Sequence, residues 1–226
     1  VLGLWNVMVS LKEQDLVKID QRIMDLAFWN NFKIGVGVMH DDYAIAKATA
    51  YVIENEIEGD IVELGCNVGE SAKIIQHVIQ ELGSDKKLYV YDSFEGLPAP
   101  NKEKGDTWHE GDLKVSQTQL IANFEKNNLN LPVIVKGWFR NITTLPEKIA
   151  FAFYDGDLYD SIKDSFEISW NQVSSGGLIA VHDYFARSLQ GVKKATDEFT
   201  DNKGCYVWYA HKDQNNGNDI LILCKR

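Results

Sequence analysis

Asp60-Ile61-Val62-Glu63-Leu64-Gly65-Cys66-Asn67-Val68-Gly69 is a short apolar run closed by two glycines four residues apart, and a helix-like segment follows from Gly69 to Leu82. Apolar strand, Gly-rich turn and helix in that order make the opening unit of a β-α-β fold. The same rhythm continues downstream. Strands are expected at Lys87–Tyr91, Pro132–Val135, Ile149–Tyr154 and Gly177–Val181, and helices at Val115–Asn127, Leu158–Gln172 and Leu189–Thr200. The central strands are continuous apolar runs, as in a parallel sheet covered on both faces. Cys205–Tyr209 and Asp219–Cys224 read as a terminal antiparallel hairpin, with the polar stretch His211–Asn218 as its turn. The expected fold is α/β: a doubly wound, mostly parallel, seven-stranded Rossmann-like sheet.

Upstream, Leu16, Ile19, Ile23, Leu26 and Ala27 fall near one face of a helix over Leu11–Trp29, and Asp41 or Asp42 caps a second helix reaching Ile57. Residues 1–57 thus form an N-terminal helical extension to a core over 58–226, within a single domain of 226 residues. That length suits one α/β domain. The net charge is −10, from 23 basic and 33 acidic side chains. A chain that grips a phosphate backbone carries the opposite balance, so nucleic acid is not the expected partner. No apolar run reaches the ~18 residues of a membrane span, and no charged-then-apolar segment opens the chain. Cys66, Cys205 and Cys224 have no paired spacing. They read as reduced thiols of a cytoplasmic protein. The chain opens on Val1. A processed protein, a homo-oligomer and a domain of a longer polypeptide are all compatible with it.

Open sheets of this kind bind ligands at the carboxyl ends of their strands. After the first strand, Gly65 and Gly69 let backbone approach a ligand. Their spacing is not the Gly-x-Gly-x-x-Gly of a dinucleotide site, which argues for a cofactor without a pyrophosphate. Glu63 beside them suits a cationic amino-acid group. Asp92 ends the second strand, where a carboxylate accepts the hydroxyls of a ribose. A helix cap at Asp92 or Ser93 is the alternative. Trp138 follows the third strand, as an adenine-stacking ring or as core. The candidate cofactor contacts are Glu63, Gly65, Cys66, Asn67, Ser71, Asp92, Ser93, Phe94, Trp138 and Asp155.

The fourth and fifth strands end in Asp155-Gly156-Asp157 and His182-Asp183. Carboxylates gathered in one crevice repel unless a positive charge sits among them. A hard divalent cation with oxygen ligands answers that need. Asp155, Asp157 and Asp183 are the carboxylates so gathered. Asp157 is the first candidate for a catalytic base and His182, which titrates near neutrality, the second. Helix capping is the alternative for Asp157. The polar segment from Glu95 to Lys114 reads as a lid, with Trp108 and His109 as candidate acceptor contacts.

From about Gly59 to Phe199 the sequence resembles the macrocin O-methyltransferase family. The resemblance rests on Glu63-Leu64-Gly65, the run from Asp92 through Ser93, Phe94, Glu95, Gly96 and Leu97 to Pro98, Gly137-Trp138-Phe139, Asp155-Gly156-Asp157-Leu158-Tyr159 and Asp183-Tyr184. It implies a class I methyltransferase fold, S-adenosylmethionine as donor, dependence on Mg²⁺, and a sugar hydroxyl of a glycan or glycosylated metabolite as acceptor. It also implies that Asp155 binds the metal and Asp157 is the base. An Asp-Asp pair is expected after the fifth strand, and His182 stands in the first of those places. The candidate metal ligands are then Asp155, His182 and Asp183; imidazole is softer than carboxylate, and the alternatives are a site that binds Mg²⁺ less tightly, one that favours Mn²⁺, and one that keeps only two protein ligands. Two other readings share the fold: a cation-dependent catechol or phenol O-methyltransferase, and a non-catalytic binding module.

Overall fold

A computed structural model describes residues 40–212 and 219–226. The expected helix at Leu11–Trp29 lies outside the described residues, as does most of the hairpin turn. The elements are α1 (His40–Glu54), β1 (Asp60–Leu64), α2 (Glu70–Glu81), β2 (Leu88–Asp92), α3 (Gln117–Lys126), β3 (Val133–Lys136), β4 (Ile149–Tyr154), α4 (Tyr159–Ser169), β5 (Val173–His182), α5 (Gln190–Thr200), β6 (Cys205–His211) and β7 (Ile220–Lys225). They form one seven-stranded sheet in the order β3-β2-β1-β4-β5-β7-β6. Strands β1 to β5 pair in parallel, and β7 runs antiparallel to both β5 and β6.

Both faces of the sheet are buried, and side-chain alternation assigns each residue to one of them. From β4, Phe151 and Phe153 pack with Ile61, Ile75, Val78 and Phe124 under α1, α2 and α3. Ala152 and Tyr154 face the other way, against Ile162 and Phe166 of α4 and Val192 of α5. All six residues of β4 are buried, which is why the strand reads as an unbroken apolar run. Each large side chain so buried stabilises the fold by about 1.5–3 kcal/mol.

Local chemistry sets the element ends. A capping box starts α3: Ser116 accepts the Gln119 N–H, and Gln119 accepts the Ser116 N–H. The helix therefore begins after Ser116 rather than at Val115. Helix α1 stops at Glu54, short of the expected Ile57, and Glu56 follows with φ 52°. Strand β5 begins four residues earlier than its apolar run. Ser174 to Gly177 form a bulge at which the β4–β5 register shifts, and the Ser174 hydroxyl donates to the Glu58 carbonyl at 2.8 Å. A bulge of small polar residues carries no strand-like pattern.

Parallel order brings the carboxyl ends of β1, β2, β4 and β5 to one edge. Chain order reverses between β1 and β4, where such sheets open a crevice. Gly65 lies there with φ +94°, and a Cβ on it would sit 1.9 Å from the Asp155 carbonyl oxygen. Only glycine allows the β1 turn to pass this close to β4.

Candidate active site

The crevice holds a cavity of about 340 Å³ lined from the ends of β1, β2, β4 and β5 and from the segments after β2 and β3. Of the expected cofactor contacts, Gly65, Asn67, Asp92, Ser93, Trp138 and Asp155 line it. Asp92 is held at two points. Its Oδ2 accepts the Asn67 N–H at 2.9 Å and its Oδ1 the Phe94 N–H at 2.7 Å. Burial raises its pKa, and those backbone donors oppose the rise. Asn67 and Phe94 bring their N–H groups inward from left-handed backbone, at φ 47° and 54°. The Asn67 side chain accepts the Val68 N–H and donates to the Leu113 carbonyl at 3.0 Å. The β1 turn is thereby tied to the far end of the long polar loop. Asp92 caps no helix; it organises the turn.

Glu63, Cys66, Ser71 and Phe94 lie outside the lining. Glu63 differs most from expectation. Side chains alternate along β1, and Glu63 falls on the Ile61 face, under α1, α2 and α3, fully buried. Its Oε1 accepts the Ser71 hydroxyl, and its Oε2 has no hydrogen-bond partner among the described residues. Burial, opposed by Ser71 and reinforced by Asp155 and Asp92, pushes its pKa up to about 8. That favours its protonated form near neutrality. Burial likewise pushes the Cys66 thiol up, and an inert thiol is the result.

At the other side of the cavity, Asp155, His182 and Asp183 each offer a ligand atom, and these atoms lie within 4.8 Å of one another. His182 Nδ1 is 3.1 Å from Asp155 Oδ1 and 3.0 Å from Asp183 Oδ2. Burial alone would lower the imidazole pKa, but Asp155, Asp183 and Asp41 together raise it well above its ordinary value. Two carboxylate oxygens and one imidazole nitrogen facing a common point also form a donor set that suits a divalent cation.

Asp157 lines the cavity beside them in left-handed backbone, φ 59°, and Asp183 adopts φ 57°. Aspartate tolerates this region better than most residues, and such backbone concentrates at functional sites. Asp157 caps nothing: the residue before α4 is Leu158, without a side-chain cap bond. Burial first, then Asp155 and Asp183, raise the Asp157 pKa to about 8, with His182 and the Trp108 indole offsetting part of the shift. The Trp108 N–H is itself buried and meets no acceptor in hydrogen-bond geometry among the described residues.

The long loop is pinned at its middle. Asp106 is buried, and its carboxylate accepts the N–H of Asn101 at 2.8 Å and of Tyr159, at the start of α4, at 2.9 Å. Thr107 donates to the Ser188 carbonyl at 2.9 Å. Gly96, Leu97, Pro98 and Leu113 reach the cavity. His109 does not; its side chain is 83% exposed, beside Asp112. Three site residues had no signal in the sequence. Arg140 and Asp164 line the rim, 3.8 Å apart, and Asp41 reaches His182 from α1. The Asp41-Asp42 pair reads as helix capping, and nothing in its spacing ties it to position 182.

Comparison with known proteins fits this geometry. The chain is 33% identical over 147 residues to an 8-demethyl-8-(2,3-dimethoxy-alpha-L-rhamnosyl)-tetracenomycin-C 4'-O-methyltransferase of Streptomyces olivaceus, covering 59% of this chain and 56% of the relative. It is 30% identical over 164 residues to a demethyldecarbamoylnovobiocin O-methyltransferase of Streptomyces niveus, covering 66% and 60%. The matches thus span less than two thirds of these curated relatives' lengths. Among solved structures, the O-methyltransferase NovP superposes with a TM-score of 0.72 at 23% identity, over 92% of this chain and 98% of that one. CalS11, a calicheamicin methyltransferase, gives 0.66 at 17% identity, over 96% and 94%. These likenesses show the class I methyltransferase α/β fold. The macrocin O-methyltransferase (TylF) family model matches residues 35–214, well over half of the chain. With the fold, the strand-end acids and that match in agreement, the chain belongs to the macrocin O-methyltransferase (TylF) family.

Proposed function

We propose that this chain transfers the methyl group of S-adenosylmethionine to a sugar hydroxyl of a glycosylated small molecule, with a divalent cation, Mg²⁺ or Mn²⁺, at Asp155, His182 and Asp183. One observation carries the reading: Asp92 and the three-donor cluster open into the same cavity. The acceptor class follows from the relatives, one of which is named for a rhamnosyl-bearing acceptor.

Bound S-adenosylmethionine supplies an electrophilic methyl on a sulfonium centre. A bound cation supplies Lewis acidity that makes a coordinated hydroxyl more acidic. The chain's own residues do the rest. Asp92, already fixed by two backbone N–H groups, keeps lone pairs for the ribose hydroxyls. Trp138 offers a flat face to the adenine. Asp155, His182 and Asp183 fix one end of the acceptor relative to the Gly65 turn. Holding nucleophile and methyl in line is a large part of the acceleration in such a reaction. Asp157 accepts the hydroxyl proton. Burial and the neighbouring Asp155 and Asp183 charges raise its pKa to about 8, so that its ionised form, which gains population as pH rises toward 8, is a far stronger base than an ordinary aspartate.

We read residues 58–226 as the catalytic core and 1–57 as its extension, in a cytoplasmic enzyme. The net charge of −10 speaks against a polyanionic acceptor, and no helix among the described residues is long and apolar enough to cross a membrane. The test is release of S-adenosylhomocysteine from S-adenosylmethionine in the presence of glycosides, their aglycones or catechols, with and without EDTA. Turnover on glycosides that stops with EDTA and returns with Mg²⁺ or Mn²⁺ is expected. Turnover on catechols alone, or turnover indifferent to EDTA, would refute the acceptor or the metal respectively.

A further inference from the structure

The His182 imidazole has a carboxylate on each side. Nδ1 faces Asp155 and Asp183. Nε2 lies 3.1 Å from Asp41 Oδ2, a residue 141 positions earlier in the chain. Asp41 comes from the first turn of α1 and is 5% exposed. Its other oxygen, Oδ1, is buried with no hydrogen-bond partner among the described residues. A carboxylate withdrawn from water this far is costly unless its surroundings use it. The helix N-terminus offsets part of that cost. The imidazole is its hydrogen-bond partner.

We propose that Asp41 is the positioning residue for His182 as a metal ligand. An imidazole that donates Nε2–H to Asp41 presents the Nδ1 lone pair to the point shared by Asp155 and Asp183. A carboxylate behind a ligating histidine fixes its tautomer and its ring plane, and strengthens it as a donor. Helix α1 thereby becomes part of the metal centre without touching the ion. An aspartate at position 182 has no ring to orient and would make no use of Asp41. The inference rests on the metal reading above, and the experiment separates the two.

The whole chain is titrated with Mn²⁺ alone, without donor or acceptor, and free Mn²⁺ is read by electron paramagnetic resonance. Asp41→Ala is expected to weaken Mn²⁺ binding about 10- to 100-fold, with S-adenosylhomocysteine affinity unchanged as the check that the fold survives. Asp41→Asn, whose amide oxygen still accepts Nε2–H, is expected to recover much of that loss. In a His182→Asp background that still binds Mn²⁺, Asp41→Ala should change the affinity by less than about threefold if only ring positioning is lost. Equal Mn²⁺ affinity in wild type and Asp41→Ala would overturn the role of Asp41 and leave the metal reading standing. So would Asp41→Asn no better than Asp41→Ala, or an undiminished loss in the His182→Asp background. Wild-type chain that binds no Mn²⁺ would overturn the metal reading, and this proposal with it.

Discussion

Glu63 shows how one side chain can link the donor pocket to stability. Its pKa is near 4.5 when exposed and about 8 in the fold. The folded chain therefore holds a proton that the unfolded chain has released between those values. Stability contributed by the neutral acid is complete below pH 4.5 and is lost as pH rises toward 8. Glu63→Gln keeps an acceptor for Ser71 and removes the titration. Its melting temperature relative to wild type should climb from pH 5 to pH 8, by at most about 1.4 kcal/mol of stability per pH unit. A constant difference between the two melting curves would show that Glu63 does not titrate in this range. Asp92→Ala should raise the dissociation constant of S-adenosylhomocysteine roughly 10- to 100-fold, the worth of hydrogen bonds to a charged group. Asp155→Ala should abolish Mn²⁺ binding and metal-dependent turnover while donor affinity stays within a few-fold. Calorimetry on the two variants checks both. Asp92, Asp155, His182 and Asp183 stand out in the sequence because each ends a strand or directly follows one. Asp41 does not, because its partner is set by how α1 lies across the sheet. Glu63 was expected at the cofactor; it lies buried outside the cavity lining, because it sits within β1, two residues before the Gly65 turn.

At the scale of elements, the loop between β2 and α3 is the part most open to experiment. Asp106 joins its middle to the start of α4 through the Tyr159 N–H. Asp106→Ala removes that bond and the one to Asn101. A lost cap of this kind costs about 1 kcal/mol. The expected result is a raised KM for the acceptor with little change in donor affinity, since the donor-side contacts of the Gly65 turn do not involve Asp106. Equal effects on both would mean that the loop serves the whole cavity. The apolar core strands were legible because burial on both faces leaves no polar alternation, as in β4. The start of β5 was not, because Ser174 to Gly177 form a bulge with the composition of a turn. The loop read as a lid from its length and polarity alone. Its anchors, Asp106 and Thr107, act through backbone groups far along the chain, and sequence spacing carries no trace of such bonds.

For the molecule as a whole, two layers of helix clamp one sheet, and the cavity sits where the strand order reverses. Anything that binds only the folded form stabilises all of it. Mn²⁺ at a hundred times its dissociation constant should add about 2.7 kcal/mol. For a chain of this size that is a rise in melting temperature of roughly 5–10 °C. Ca²⁺-free, Mn²⁺-titrated thermal scans check this, and a flat response across the titration counts against a metal centre. At the sheet's centre, the backbone of Gly65 presses on the Asp155 carbonyl while the Asp155 N–H donates to Leu64 at 2.9 Å. The proposed seats for donor and cation are therefore carried by neighbouring strand ends of one sheet, whose strands lie about 4.8 Å apart. Such a core behaves like a fixed gauge: loops at its rim can be exchanged to admit acceptors of other shapes, while the distance over which a methyl must travel stays the same.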